Sequence, residues 1–77
     1  MDDRMELNEQ VDRLMAGPLP PLLTVRRVAA MLDMAPRRVY ELIEMGDLVA
    51  VRVGTRGRRV FRDSLEQWLR RGGSGPG

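Results

Sequence analysis

Apolar residues recur along this chain with the period of a helix in four places and with the texture of strands in one. Leu7, Val11, Leu14 and Met15 stand at i, i+4, i+7 and i+8, which predicts a short amphipathic helix over residues 5–15. Gly17-Pro18-Leu19-Pro20-Pro21 then breaks the chain. Thr24 offers a cap for a helix over residues 25–32 that buries Val25, Val28, Ala29 and Leu32 on one face. Asp33-Met34-Ala35 is a short turn. Pro36 suits the first position of the next helix, where its missing N–H costs nothing. That helix buries Val39, Leu42 and Ile43, and Gly46 stops it.

The texture changes at Leu48-Val49-Ala50-Val51-Arg52-Val53, which is β-branched and strand-like. Gly54-Thr55-Arg56-Gly57-Arg58 is a hairpin turn, and Arg59-Val60-Phe61-Arg62 is the returning strand. Asp63, with Glu66 three residues on, is expected to cap a last helix that buries Leu65, Trp68 and Leu69. Two short helices joined by a tight turn form a helix-turn-helix pattern. The expected fold is therefore mostly α with a small β-hairpin. It is a winged helix-turn-helix with a two-stranded wing and a C-terminal helix, preceded by a short amphipathic helix. By composition the chain divides into an acidic leader at 1–17, a Pro-rich linker at 18–21, the winged domain at 22–71 and a flexible Gly-rich tail at 72–77.

Composition narrows the function. With 77 residues there is room for one small domain. Cys and His are absent, which removes disulfides, thiolate metal sites and the commonest general base. No phosphate loop, metal cluster or nucleophile–base pair is present, so no enzymatic activity, cofactor or small-molecule ligand is expected. No apolar run reaches the roughly 18 residues of a membrane span, and the acidic start is not a secretory signal. A cytoplasmic protein, nucleoid-associated when bound, is expected.

Charge distribution says more than the net charge of +2. Residues 1–16 carry five acids against two arginines, a balance of −3, whereas residues 22–71 carry eleven arginines against six acids, a balance of +5. All 13 basic residues are Arg. Arg suits bidentate contact with phosphate or guanine, although a GC-rich coding sequence would also favour it. Arg26 and Arg27 fall in the first turn of one predicted helix, and Arg37 and Arg38 in the first turn of the next. Cations there oppose the helix dipole by roughly 0.3–1 kcal/mol each. Such placement is tolerable where the helix ends face a polyanion. Chance in an Arg-rich chain, or neutralisation by Glu41 at i+4 and i+3, is the alternative.

As a recognition helix, the second helix would read bases with Arg37, while Arg38 and Tyr40 bond phosphates. Glu41 would accept from cytosine N4 or pair with Arg37. The hairpin carries Arg52, Arg56, Arg58, Arg59 and Arg62 with no acid between Asp47 and Asp63. As a wing it would straddle the DNA backbone, with Arg56 or Arg58 in the minor groove. A generic solvated hairpin is the alternative. Trp68 shares a face with Leu65 and Leu69 and is assigned to the core and not to base stacking.

The run Leu22-Leu23-Thr24-Val25-Arg26-Arg27-Val28-Ala29, the run Val39-Tyr40-Glu41-Leu42-Ile43-Glu44-Met45-Gly46-Asp47-Leu48, and the later Val51-Arg52-Val53-Gly54 and Leu65-Glu66-Gln67-Trp68-Leu69 together resemble the excisionase family. These are small winged helix-turn-helix domains, related in fold to the DNA-binding domain of MerR-like regulators. The resemblance covers residues 22–70. It implies binding to double-stranded DNA, with the second helix in the major groove and the hairpin as wing. Members include phage excisionases, which bend DNA and direct an integrase, and small transcription factors. The implied partners are thus duplex DNA, an integrase or other recombinase, and neighbouring copies on DNA. A small transcriptional regulator is the runner-up, and a protein-interaction adaptor a third reading. Ala35 stands where the family usually has a capping Ser or Thr. The wing is about one residue longer, Arg58 replaces a frequent aromatic, and the leader lies outside the family core.

Overall fold

A computed structural model describes residues 3–55 and 57–73. Arg56, at the predicted wing tip, and residues 74–77 of the predicted tail lie outside the described residues. The elements, in chain order, are α1 (Asp3–Leu14), β1 (Leu22–Thr24), α2 (Val25–Leu32), α3 (Pro36–Glu44), β2 (Ala50–Arg52), β3 (Arg58–Phe61) and α4 (Arg62–Arg70). Among the described residues, no helix is long and apolar enough to cross a membrane.

Local chemistry sets the helix-turn-helix. The Thr24 hydroxyl accepts the Arg27 N–H at 3.0 Å and starts α2. Asp33 ends it in the left-handed conformation, φ 54°, and Met34 N–H reaches back to the Ala29 carbonyl at 2.9 Å. The chain then turns into α3 at Pro36. Ala35 occupies the cap position without a side-chain bond, so the cap that its residue type forfeits is indeed missing. At the far end Gly46, φ 85°, lets Asp47 N–H bond the Leu42 carbonyl at 2.9 Å. These turns aim Val28, Ala29, Val39 and Leu42 into one buried cluster with Leu23, Leu48, Val60, Leu65 and Trp68. Truncating a fully buried member such as Leu42 to alanine costs about 2–5 kcal/mol.

The β2–β3 hairpin of the wing is joined by a third strand, β1. β3 is central, with β1 and β2 antiparallel on either side. Leu23, Val60 and Ala50 align across the inner face, and Thr24, Arg59 and Val51 across the outer face. The Leu22–Thr24 segment pairs because Pro21 and Thr24 bracket it: the Pro21 carbonyl accepts the Arg62 N–H at 2.8 Å, and Thr24 turns the chain into α2. Val51 and Phe61 on the outer side of the sheet, and Val49 and Val53 flanking β2, are exposed.

Two expectations at the C-terminal helix are corrected. Asp63 does not cap α4; the helix starts at Arg62, with Phe61 at the cap position and no side-chain cap bond. β3 runs directly into the helix, and the Arg62–Pro21 bond fixes its start before Asp63 is reached. Asp63 still lies in the first turn, where the dipole favours an acid. Ser64 ties the region together, its Oγ lying 2.8 Å from the Phe61 carbonyl and accepting the Val49 N–H at 3.1 Å. The glycine tail, in turn, does not begin at residue 72. Gly72 N–H bonds Leu69 O at 2.9 Å and Gly73 N–H bonds Trp68 O at 3.0 Å, so both glycines finish α4.

The leader's apolar stripe finds its cover within the same chain. α1 packs on α4, Val11 is 3% exposed, and Leu7, Leu14 and Met15 are half-buried. Arg70 donates to Asp12 at 2.6 Å, to Asn8 at 3.0 Å and to Glu66 at 3.1 Å. Hydrogen bonds to Asp12, then to Glu66, raise the Arg70 guanidinium above its ordinary pKa. The Arg62 guanidinium holds the linker by donating to the Leu19 carbonyl at 2.9 Å.

Candidate nucleic-acid interface

The first turns of α2 and α3 contain no acid, as the sequence pattern implies. Arg26 and Arg27 occupy one, Arg37 and Arg38 the other, and all four are exposed. Glu41 pairs with Arg38 at 3.2 Å, one helical turn away, and not with Arg37. Among the described residues, Arg26, Arg27, Arg37, Arg52 and Arg59 form no ion pair. The charges of Arg26, Arg27 and Arg37 are uncompensated in first turns, where the helix dipole also disfavours them.

The wing's arginines divide by role. Arg52 and Arg58 face each other across β2 and β3, and Val53 N–H closes the hairpin on Gly57 O at 3.1 Å. No acid lies within the hairpin sequence, yet Arg58 is neutralised from outside: its Nη1 donates to Glu44, at the end of α3, at 2.9 Å. The predicted placement of Arg58 in a groove thus competes with an ion pair to α3. Arg62, with its bond to Leu19 and its 3.6 Å approach to Asp63, serves the fold. Arg59 is half-buried and donates to the Arg58 carbonyl at 3.4 Å.

Two concavities gather these residues. A cavity of about 340 Å³ lies where the helix-turn-helix meets the sheet, lined by Thr24, Val25, Arg26, Tyr40, Arg58 and Arg59. A shallower depression of about 460 Å³ runs along α3, lined by Arg37, Arg38, Tyr40, Glu41, Glu44 and Met45. Tyr40 borders both, at 43% exposure. Arg26, Tyr40, Arg58 and Arg59 are therefore brought together, as are Arg37, Arg38, Tyr40 and Glu41. Arg27 and Arg52 border neither concavity. Sequence reasoning missed Glu44 and Thr24 as site residues. Glu44 gives no local signal in the sequence, because its partner lies 14 residues away across a turn.

The arrangement offers two faces to a polyanion: an exposed helix bearing Arg37 near its N-terminus, and a basic cavity beside the wing. A family profile described as a helix-turn-helix domain matches residues 22–73. The match ends at Gly73, the residue that closes α4. No curated protein matches the chain.

Proposed function

We infer what this chain does from its family, because it belongs to the helix-turn-helix domains and so carries a DNA-binding fold. We propose that it binds double-stranded DNA sequence-specifically as an excisionase-like factor, without catalysis of its own, shaping an attachment site for an integrase in the cytoplasm. The observation that carries the reading is that the guanidiniums of Arg26, Arg27 and Arg37, at the N-terminal turns of α2 and α3, form no ion pair among the described residues. A solvated surface gains nothing from that placement, whereas a phosphate backbone compensates it.

Neighbouring copies are proposed to cooperate. A single module of this size covers about 600–1,000 Å² of its own surface on DNA, small for tight specific binding. Footprinting at a stated salt concentration on DNA flanking the protein's own gene tests the whole reading. Protected repeats beside an attachment site support it. Protection of a promoter alone identifies a small transcriptional regulator, and absence of any protection leaves the adaptor reading in its place.

A further inference from the structure

Three separate elements converge on the cavity of about 340 Å³ between the helix-turn-helix and the sheet. α2 contributes Arg26, α3 contributes Tyr40, and β3 contributes Arg58 and Arg59. No acid lines it. Arg58 is already neutralised by Glu44 at 2.9 Å, which leaves two guanidiniums, those of Arg26 and Arg59, without an ion pair among the described residues. Two like charges held at one concavity repel unless an anion lies between them. Arg guanidiniums present parallel N–H donors that match the non-bridging oxygens of a phosphodiester, and Tyr40 brings a phenolic donor to the same wall. The N-terminal end of α2, which also borders the cavity, carries the positive pole of its helix.

We propose that this cavity seats a single DNA backbone phosphate, shared by Arg26, Arg59 and Tyr40. The proposal rests on the duplex-binding reading and deepens it. Phosphate contacts fix the register of a protein on DNA. A phosphate gripped jointly by α2, α3 and β3 fixes more, because it sets the wing's position against the recognition helix. Arg37 and the wing tip would then enter their grooves at a defined separation. Glu44 keeps Arg58 out of the clamp and leaves it as the tie between wing and helix.

The test is a double-mutant cycle on the full chain. Duplex affinity is measured from low to physiological salt for wild type, Arg26→Ala, Arg59→Ala, the double variant and Tyr40→Phe. A shared phosphate predicts that the double variant loses less affinity than the product of the two single losses, by at least about twofold. It predicts that the log–log salt slope drops by about 0.9 in the double variant, one phosphate's worth. Tyr40→Phe is expected to weaken binding without changing the slope. Arg59→Gln keeps the aliphatic stem and replaces the alanine variant if thermal melts show that alanine destabilises the sheet. Multiplicative losses with a slope drop of about 1.8 assign the arginines to two phosphates and overturn the clamp while wild-type DNA binding stands. Wild-type affinities equal in both arginine variants also overturn it. Wild-type protein with no salt-dependent duplex binding overturns the clamp together with the DNA reading beneath it.

Discussion

Glu44 closes α3 and Arg58 opens β3, and their side chains meet at 2.9 Å. The pair links the end of α3 to the turn-proximal end of the β2–β3 hairpin. It neutralises a guanidinium that lines the same cavity as Arg26 and Arg59. A surface pair of this kind contributes about 0–1 kcal/mol to stability, so its larger effect is on where the charge points.

Glu44→Gln is accordingly expected to tighten duplex binding. The variant removes a negative charge from α3, the helix proposed to face DNA, and frees Arg58 for a phosphate, steepening the salt slope by about 0.9. Fluorescence anisotropy across a salt series measures both. An unchanged slope would mean that the ion pair already opens on DNA, and that Arg58 makes its phosphate contact in the native protein.

Arg37 and Arg52 should respond differently to alanine. Arg37 sits in the first turn of α3 with no ion pair among the described residues, the place from which a recognition helix reads base edges. Arg37→Ala is expected to cost roughly 1–3 kcal/mol at one position of the site and to relax preference there. Arg52→Ala is expected to weaken all sequences alike. Competition with scrambled duplex separates the two, and an equal, sequence-blind loss at Arg37 would remove its reading role.

What the sequence pattern revealed follows from the range of the interactions involved. α2 and α3 were legible because their determinants lie within four residues: Thr24 and Arg27 at one cap, the apolar spacing through Val28 and Leu42, Gly46 at the stop. β1 was not, since three residues carry no readable period and Leu22 finds its partner Phe61 only once the chain has folded back. The same distance hid the Arg58–Glu44 pair, because a search for acids within the hairpin could not see one from α3. Asp63 misled for a related reason: the cap rule was satisfied locally, while the Arg62–Pro21 bond had already set the helix start. Gly72 and Gly73 looked like a linker by composition, although their positive φ angles are what ends α4.

Ala35 is the one cap position in the helix-turn-helix whose residue type forfeits a bond. Ala35→Ser adds a hydroxyl able to accept an N–H of the first turn of α3, and is expected to stabilise by about 1 kcal/mol. In a domain of this size that raises the unfolding midpoint by roughly 4–8 °C. Circular dichroism melts check it. DNA affinity should not fall, because Ala35 borders neither concavity. An unchanged midpoint would show that backbone geometry at Pro36 denies the serine its bond.

The leader tests how far α1 belongs to the domain. Its acids and its position outside the family match at 22–73 suggest a segment that engages a partner or another copy. The structure, however, spends its apolar stripe on α4, with Val11 buried and Arg70 bonded to Asn8, Asp12 and Glu66. Val11 lies outside the main buried cluster, against which the leader packs Met15. Deleting residues 1–17 is therefore expected to lower the unfolding midpoint while leaving one cooperative transition. Val11→Ala alone should cost roughly 1–3 kcal/mol, for two methyl groups lost from a buried site. Single-site DNA binding should keep its salt slope, because no described leader residue borders the basic cavity or the α3 depression. Binding to two-site DNA then separates the remaining roles. A truncated chain that melts early but retains cooperation makes α1 a brace for α4 and nothing more. One that loses cooperation while its single-site affinity holds assigns the acidic face of α1 to contact between copies. A truncated chain with no melting transition would make the leader part of the core and defeat both readings.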